Sequence, residues 1–323
     1  MNHTLQVENL NIRLKTKNGT WDAVNDVSYS VDAGQLLGII GESGCGKSVS
    51  CMAAMGLLPK NLWDYEADVL LGGEPLDIRN EKRMRAVRGK EMAIIMQNPM
   101  NAFNPSITIR KHFEETMRAH TAMTDAEIRS AAMDMLRQMR IRDPESVYGC
   151  YPFECSGGML QRVMIAISLM LKPKVLIADE PTTSLDRTVQ NEIIKLLDHI
   201  RYEHDSGIIF VSHDLHVITG IADDIAVMYS GYIVEKAPKD VIAKAPMHPY
   251  TMGLFRSRPN YSRERLAEIP GQPPTLKERS SREGCLFLDR CPYRTEACED
   301  YDMAPVAVDD RHSVRCCRCG EME

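Results

Sequence analysis

The sequence predicts an α/β fold: a mostly parallel sheet covered by helices, joined by an antiparallel β subdomain, an α-helical subdomain and a small cysteine-rich C-terminal extension. Three observations predict it. Residues 41–48, GESGCGKS, fit the pattern G-x-x-x-x-G-K-[ST] at every required position, between the apolar run Leu36-Leu37-Gly38-Ile39-Ile40 and helix-compatible residues 49–55. A second apolar run, Val175-Leu176-Ile177-Ala178, ends in Asp179 and Glu180. Further apolar runs alternate with stretches of helical spacing, the pattern of a parallel sheet with both faces covered.

The elements follow in order. Residues 5–34 alternate apolar and polar and read as antiparallel strands, with turns at Lys17-Asn18-Gly19 and Asp32-Ala33-Gly34. Val69-Leu70-Leu71 and Ala93-Ile94-Ile95-Met96 read as strands. Residues 109–141, rich in Ala, Met, Arg and Glu, predict an all-helical insert broken by Asp143-Pro144. A helix is expected from Ser156 to about Leu171, then a strand over 175–178, a helix over 187–202 and a strand over 208–211. Val227-Met228-Tyr229 and Tyr232-Ile233-Val234, split by Ser230-Gly231, predict a hairpin. From about residue 245 the composition shifts toward Pro, Arg and Cys, and residues 269–274, IPGQPP, read as a linker.

The chemistry gathers where these elements meet. Backbone N–H groups of a glycine-rich turn at a helix N-terminus form a nest for phosphate oxygens. Lys47 suits the β- and γ-phosphates, and the Ser48 hydroxyl suits Mg²⁺. The alternative, a βα turn that binds nothing, is disfavoured by the strand and helix on either side. Acids at the C-terminal end of an apolar strand stand where α/β ligands bind. Asp179 there suits Mg²⁺ through water, and Glu180 suits orientation of an attacking water. Gln97 and His213 each follow an apolar strand. Gln97 suits Mg²⁺ or a water, with a solvated loop residue as the alternative. His213 suits the γ-phosphate, with a surface or capping residue as the alternative. Ser156-Gly157-Gly158 opens a helix and reads equally as a second anion site or as an N-cap with a tight turn.

Composition limits the rest. The chain has 323 residues, 44% hydrophobic and 26% charged, with a net charge of −6 and pI near 5.9, values ordinary for a soluble globular protein. That balance predicts no nucleic-acid partner. No apolar stretch approaches the ~20 residues that span a bilayer. The first residues, MNHTLQVENL, lack the regions of a signal peptide, so a cytosolic location is expected. Six of the ten cysteines crowd the last forty residues, and in a reducing compartment such a cluster suggests metal or iron–sulfur chemistry.

Taken together, these segments resemble the nucleotide-binding subunit of ABC transporters over roughly residues 5–260. The order matches: Walker A at 41–48, Q-loop at Gln97, signature at 155–159, Walker B at 175–180, D-loop at Ser184-Leu185-Asp186 and H-loop at His213. The signature reads Cys155-Ser156-Gly157-Gly158-Met159 where the general pattern is LSGGQ. His248-Pro249-Tyr250-Thr251, Ile269-Pro270-Gly271 and the tail from Gly284-Cys285 are similar to the oligopeptide, dipeptide and nickel import ATPases.

The resemblance implies an ATPase with a nucleotide-binding domain over 1–260, whose helical subdomain covers about 98–172, and an extension over 261–323. ATP is expected on Gly41, Ser43, Gly44, Cys45, Gly46, Lys47, Ser48 and Val49, with Trp21 as the adenine-stacking aromatic; core packing is the alternative for Trp21. Mg²⁺ is expected on Ser48 and Gln97, and catalysis on Glu180, His213 and Gln97. Ser156, Gly157 and Gly158 would contact the γ-phosphate of ATP held by a second, head-to-tail ATPase subunit, for which a paralogue is favoured over a copy. Two permease subunits and an extracytoplasmic binding protein complete the implied importer, with this chain peripheral on the cytoplasmic face of the inner or plasma membrane.

Cys285, Cys291, Cys298 and Cys316 are separated by five, six and seventeen residues. The dipeptide-importer branch shows a similar pattern, associated there with a [4Fe–4S] cluster. Zn²⁺ is the alternative and free thiols the third reading. Cys317 and Cys319 leave the fourth ligand open. Dipeptides and oligopeptides are the expected cargo, with nickel or metal chelates as the alternative. A soluble ABC ATPase outside transport, and a regulatory subunit that leaves hydrolysis to its partner, are the competing functions.

Overall fold

The computed structural model describes residues 3–182, 185–257 and 268–321. The expected D-loop residue Ser184 and the expected domain boundary at 260/261 lie outside them. Twelve strands are described. β1 (Leu5–Thr16) and β2 (Gly19–Val31) form a long hairpin, and β3 (Leu36–Ile40) leads into the 41–48 loop. β4 (Trp63–Leu71), β5 (Glu74–Pro75) and β6 (Met92–Ile95) precede the helical insert. β7 (Val175–Asp179), β8 (Gly207–Val211), β9 (Asp224–Tyr229) and β10 (Tyr232–Pro238) follow it. β11 (Val306–Ala307) and β12 (Ser313–Val314) lie in the tail.

Two sheets result. One has the order β2-β1-β4-β5 and is antiparallel. The other runs β11-β12-β10-β9-β3-β8-β7-β6. Its strands from β9 to β6 are mutually parallel, and β10, β12 and β11 add antiparallel at one edge. Every residue of β3, β7 and β8 is buried, as a strand covered on both faces requires. One apolar core joins a face of this sheet to the helical insert through Phe113, Ile128, Leu136 and Leu160. The other lies between the two sheets, around Val24, Tyr65, Ile177 and Ile209. Parallel alignment puts the ends of β3, β8, β7 and β6 side by side, and those ends carry the predicted site.

The structure adds detail to three expectations. The all-helical insert expected over 109–141 consists of two helices, Ile109–His120 and Asp125–Gln138. Thr124 and Glu127 form a capping box that starts the second, a signal legible in T-x-x-E. Asp143-Pro144 opens a helix, Pro144–Gly149, as well as ending the preceding run: the Asp143 side chain accepts from the Ser146 N–H and Pro144 takes the first helical position, where its missing N–H costs nothing. The 269–274 segment is irregular but anchored. Ile269 packs on Gly253, and the Pro270 carbonyl accepts from Arg290 Nε at 2.8 Å. The tail then returns to the main sheet, where β12 pairs with β10.

Candidate active site

The 41–48 loop closes tightly against β2 and β9. Gly41 has φ 155°, and a Cβ there would stand 2.1 Å from the Met228 carbonyl oxygen. Gly46 has φ 113°, with the Met228 and Val24 side chains at 2.7 and 2.9 Å from any Cβ. Only glycine satisfies both the left-handed backbone and the lack of room. The helix Lys47–Ala54 starts from this loop. Lys47 is buried, and its Nζ donates to the carbonyls of Gly41 at 2.8 Å and Glu42 at 3.0 Å. Ser43 and Gly44 are exposed on the loop's outer side, Cys45 is buried beneath it, and Val49 packs on the inter-sheet core.

The neighbouring strand ends converge as the sequence implies. Ser48 Oγ donates to Asp179 Oδ1 at 2.8 Å. Burial pushes the Asp179 carboxyl above its ordinary value and nearby Glu180 adds to this, while the Ser48 hydrogen bond and Lys47 oppose it. A divalent cation would favour its charged form. Glu180 takes φ 45°, the left-handed region that a side chain seldom adopts, while its N–H donates to the Val211 carbonyl at 3.0 Å. Among the described residues, its carboxylate meets Gln97 and His213. Gln97 Nε2 donates to Glu180 Oε2 at 2.9 Å, and His213 Nδ1 lies 3.3 Å from the same oxygen. Gln97 and His213 are otherwise open to solvent.

Ser156 N-caps the helix Gly157–Leu169, accepting from the Met159 N–H at 3.3 Å. Ser156 and Gly157 are exposed, and a Cβ on Gly157 would meet nothing, so this helix start offers its N–H groups outward. Trp21 is half-buried on β2, over Gly19, and its Nε1 donates to Thr16 Oγ1 at 3.2 Å. Its strand supplies Ala23 and Val24, the neighbours of Gly46.

Three residues around this site escaped the sequence reading. Tyr250 Oη accepts from the Glu42 N–H at 2.9 Å, Arg290 pairs with the Glu42 carboxylate, and Arg279 Nη2 donates to the Gly44 carbonyl at 3.2 Å. Tyr250 lies in a segment singled out for its resemblance, but no local signal ties any of the three to the loop.

Cys285, Cys291, Cys298 and Cys316 line one small apolar cavity together with Cys317, beneath His248 and Phe287. Cys319 instead approaches Met247 Sδ at 3.7 Å. Burial pushes the Cys285 and Cys316 thiols up to about 11. Burial acts to raise Cys298 too, but hydrogen bonds with Thr295 and Cys317 outweigh it and hold that thiol below its ordinary value. Cys298 Sγ and Cys317 Sγ are 3.4 Å apart. Among the described residues, no three His, Cys, Asp or Glu side chains close on one point as a single metal ion requires.

The sequence and the fold are similar to those of known proteins. The family described as "ABC transporter" matches residues 24–183, and "Oligopeptide/dipeptide transporter, C-terminal region" matches residues 234–298. The dipeptide transport ATP-binding protein DppD of Escherichia coli (strain K12) is 39% identical over 319 residues, 97% of this chain and 95% of that protein. The chain belongs to the ABC transporter ATP-binding family. The oligopeptide transport ATP-binding protein OppD of Haemophilus influenzae is 40% identical over 301 residues, 93% of this chain and 92% of that protein. A bacterial ABC transporter cassette solved as a dimer superposes with a TM-score of 0.65 at 23% identity, covering 73% of this chain and 98% of its own; it supports the fold. The chain is therefore an ABC ATPase; the segments expected as Walker A and Walker B stand on the turn after β3 and at the end of β7. Among the described residues no helix is long and apolar enough to cross a membrane. The C-terminal family match reaches Cys285, Cys291 and Cys298 and stops short of Cys316.

Proposed function

We propose that this chain hydrolyses ATP to drive import of dipeptides or oligopeptides through a membrane permease. The observation that carries the reading is the joint match of the ABC domain and the peptide-transporter C-terminal region, with relatives named for dipeptide and oligopeptide transport along nearly the whole chain. Nickel or metal-chelate import is the second reading, since cargo choice lies with other subunits.

In the proposed mechanism, the N–H groups of Gly44, Cys45, Gly46, Lys47 and Ser48 hold the phosphates. Lys47 exchanges its backbone carbonyl partners for β- and γ-phosphate oxygens. Mg²⁺, when bound, neutralises charge on those phosphates. Ser48, Asp179 and Gln97 supply the hydroxyl, carboxylate and amide oxygens to hold it, a donor set that suits a hard cation. Glu180, oriented by Gln97 and His213, takes the proton of the attacking water, and His213 also reaches the γ-phosphate. Trp21 stacks on adenine. The outward face of Ser156, Gly157 and Gly158 completes the ATP site of a second ATPase subunit, favoured as a paralogue, arranged head to tail beneath two permeases that receive cargo from an extracytoplasmic binding protein. The chain works on the cytoplasmic face.

Cys285, Cys291, Cys298 and Cys316 would hold a [4Fe–4S] cluster, which takes four thiolates; these four are among the five thiols on one apolar cavity. Zn²⁺ is the alternative, and Cys317 competes with Cys316 as the fourth ligand. Iron and sulfide analysis of anaerobically purified protein separates these: zinc without iron selects the alternative, and neither metal leaves free thiols.

The whole reading is tested in vesicles holding this chain, its partner ATPase and the permeases. Expected is ATP hydrolysis stimulated by peptide-loaded binding protein, with peptide accumulation. Hydrolysis indifferent to membrane components would favour an ATPase outside transport. Hydrolysis that survives loss of Glu180 here, and stops on loss of its counterpart, would favour a regulatory subunit.

A further inference from the structure

The phosphate loop is gripped from the cysteine-rich tail. Glu42, its second residue, is bound at three points. Its carbonyl accepts from Lys47 Nζ, its N–H donates to Tyr250 Oη, and its carboxylate receives both Nη1 and Nη2 of Arg290, each at 2.9 Å. The last is a fork-to-fork pair, which fixes direction as well as distance. Arg290 is only 5% exposed, its Nε is tied to the Pro270 carbonyl, and its guanidinium lies over the Tyr229 and Phe287 rings. It has little room to follow Glu42 elsewhere.

The same arginine adjoins the tail's thiol site along the chain without lining it. It ends the short turn Leu288–Arg290, placed between Cys285 and Cys291, and both of those thiols line the cavity. Three backbone hydrogen bonds, Leu288 to Cys285, Arg290 to Phe287 and Cys291 to Leu288, make the 285–291 segment one tight coil. Phe287 lines the cavity and packs against Tyr229, Tyr250 and His248. One side of this segment faces the thiols and the other holds Glu42. A close-packed interior transmits strain, and the three backbone bonds of the coil give a displacement of Cys285 or Cys291 a short route to Arg290.

We propose that Arg290 is a positioning residue for the nucleotide site and that the 285–291 turn carries the state of the cavity thiols to the phosphate loop. With the thiols drawn onto one common group, MgATP binds more tightly; with them released, it binds more weakly. For the nature of that group this rests on the iron–sulfur reading above, whereas the grip of Arg290 on Glu42 does not. Thermodynamic reciprocity adds that bound nucleotide must restrain the thiols in turn.

The test measures the affinity of full-length protein for a non-hydrolysable MgATP analogue by calorimetry. Arg290→Gln and Glu42→Gln are each expected to weaken binding about tenfold, and the double variant no further, because both break one contact. Cys291→Ser should weaken binding several-fold in the native background and not at all beside Arg290→Gln. Arg290→Lys, which keeps charge but loses the fork, should fall between. In the assembled transporter KM for ATP should rise while kcat holds within about twofold, since Glu180, Gln97 and His213 are untouched. Native affinity in Arg290→Gln, additive losses, or an equal Cys291→Ser loss in both backgrounds would overturn the proposal. If Arg290→Gln fails to fold, Glu42→Gln carries the test, because it removes one acceptor of the fork and its charge while leaving the buried guanidinium, its Pro270 bond and its ring contacts in place. Iron and sulfide are assayed on the same samples. Their absence from the native protein sinks the cluster reading alone, while the paired variants still decide the role of Arg290.

Discussion

Ser48 Oγ donates to Asp179 Oδ1 at 2.8 Å, joining the first turn after Walker A to the end of Walker B. Both atoms are oxygens suited to a hard cation, and burial already raises the Asp179 carboxyl. Asp179→Asn keeps the size and an acceptor oxygen but removes the charge. Hydrolysis is expected to fall at least about 100-fold, since a bound metal supplies several kcal/mol of charge stabilisation. A Mg²⁺ titration of phosphate release checks it: the midpoint should move to higher Mg²⁺. An unmoved midpoint would place the ion elsewhere.

Glu180→Gln isolates the proton transfer. An amide oxygen can still accept from Gln97 Nε2, so the loop geometry is kept while the base is lost. Phosphate release is expected to drop by roughly 10²–10⁴, the contribution of a positioned general base. ATP affinity should persist, and the variant should accumulate as a nucleotide-bound dimer by light scattering. Retained turnover would remove Glu180 from the catalytic role.

How much of this was legible follows from distance along the chain. Walker A, the acids at the end of β7 and the capping box at Thr124 are written within a few neighbouring residues, because each is one local device whose backbone demands are met within a turn. Gln97, Glu180 and His213 were each visible as a residue after an apolar strand, and parallel alignment then brings them together. The pairing of Glu42 with Arg290 and Tyr250 was not visible. Those partners lie 248 and 208 residues away and depend on how the tail folds back. The two-residue strand β12 was equally hidden, since a period-2 pattern needs more residues than it has.

Gly41→Ala tests the packing of the phosphate loop. Its Cβ would meet the Met228 carbonyl oxygen at 2.1 Å in a left-handed backbone. The strain of such a backbone alone costs about 1–3 kcal/mol, and the clash with rigid main chain adds to it. A lower melting temperature and loss of ATP binding are expected together. At Gly44, where a Cβ would meet nothing, Ala should cost only the strain of φ 73° and melt closer to the native protein. Equal losses at both positions would contradict the packing argument.

His248 provides a pH test of the junction between cassette and tail. It is fully enclosed, with Nδ1 accepting from the Tyr250 N–H at 3.0 Å, and burial pushes its pKa down to about 3. A proton on Nδ1 would break that bond and bury a charge. The folded state therefore resists a proton that the unfolded chain takes up near pH 6.5. Stability from this group is fully present above about pH 6.5 and is lost as pH falls from there toward 3. At pH 5.5 the loss is about 1.4 kcal/mol per histidine, one unit below the unfolded value. Urea unfolding at pH 7.5 and 5.5 measures it. His248→Asn keeps an acceptor for the Tyr250 N–H but does not titrate, so its difference between the two pH values should be smaller by that amount. An identical difference in both proteins would mean that His248 already carries its proton in the folded state.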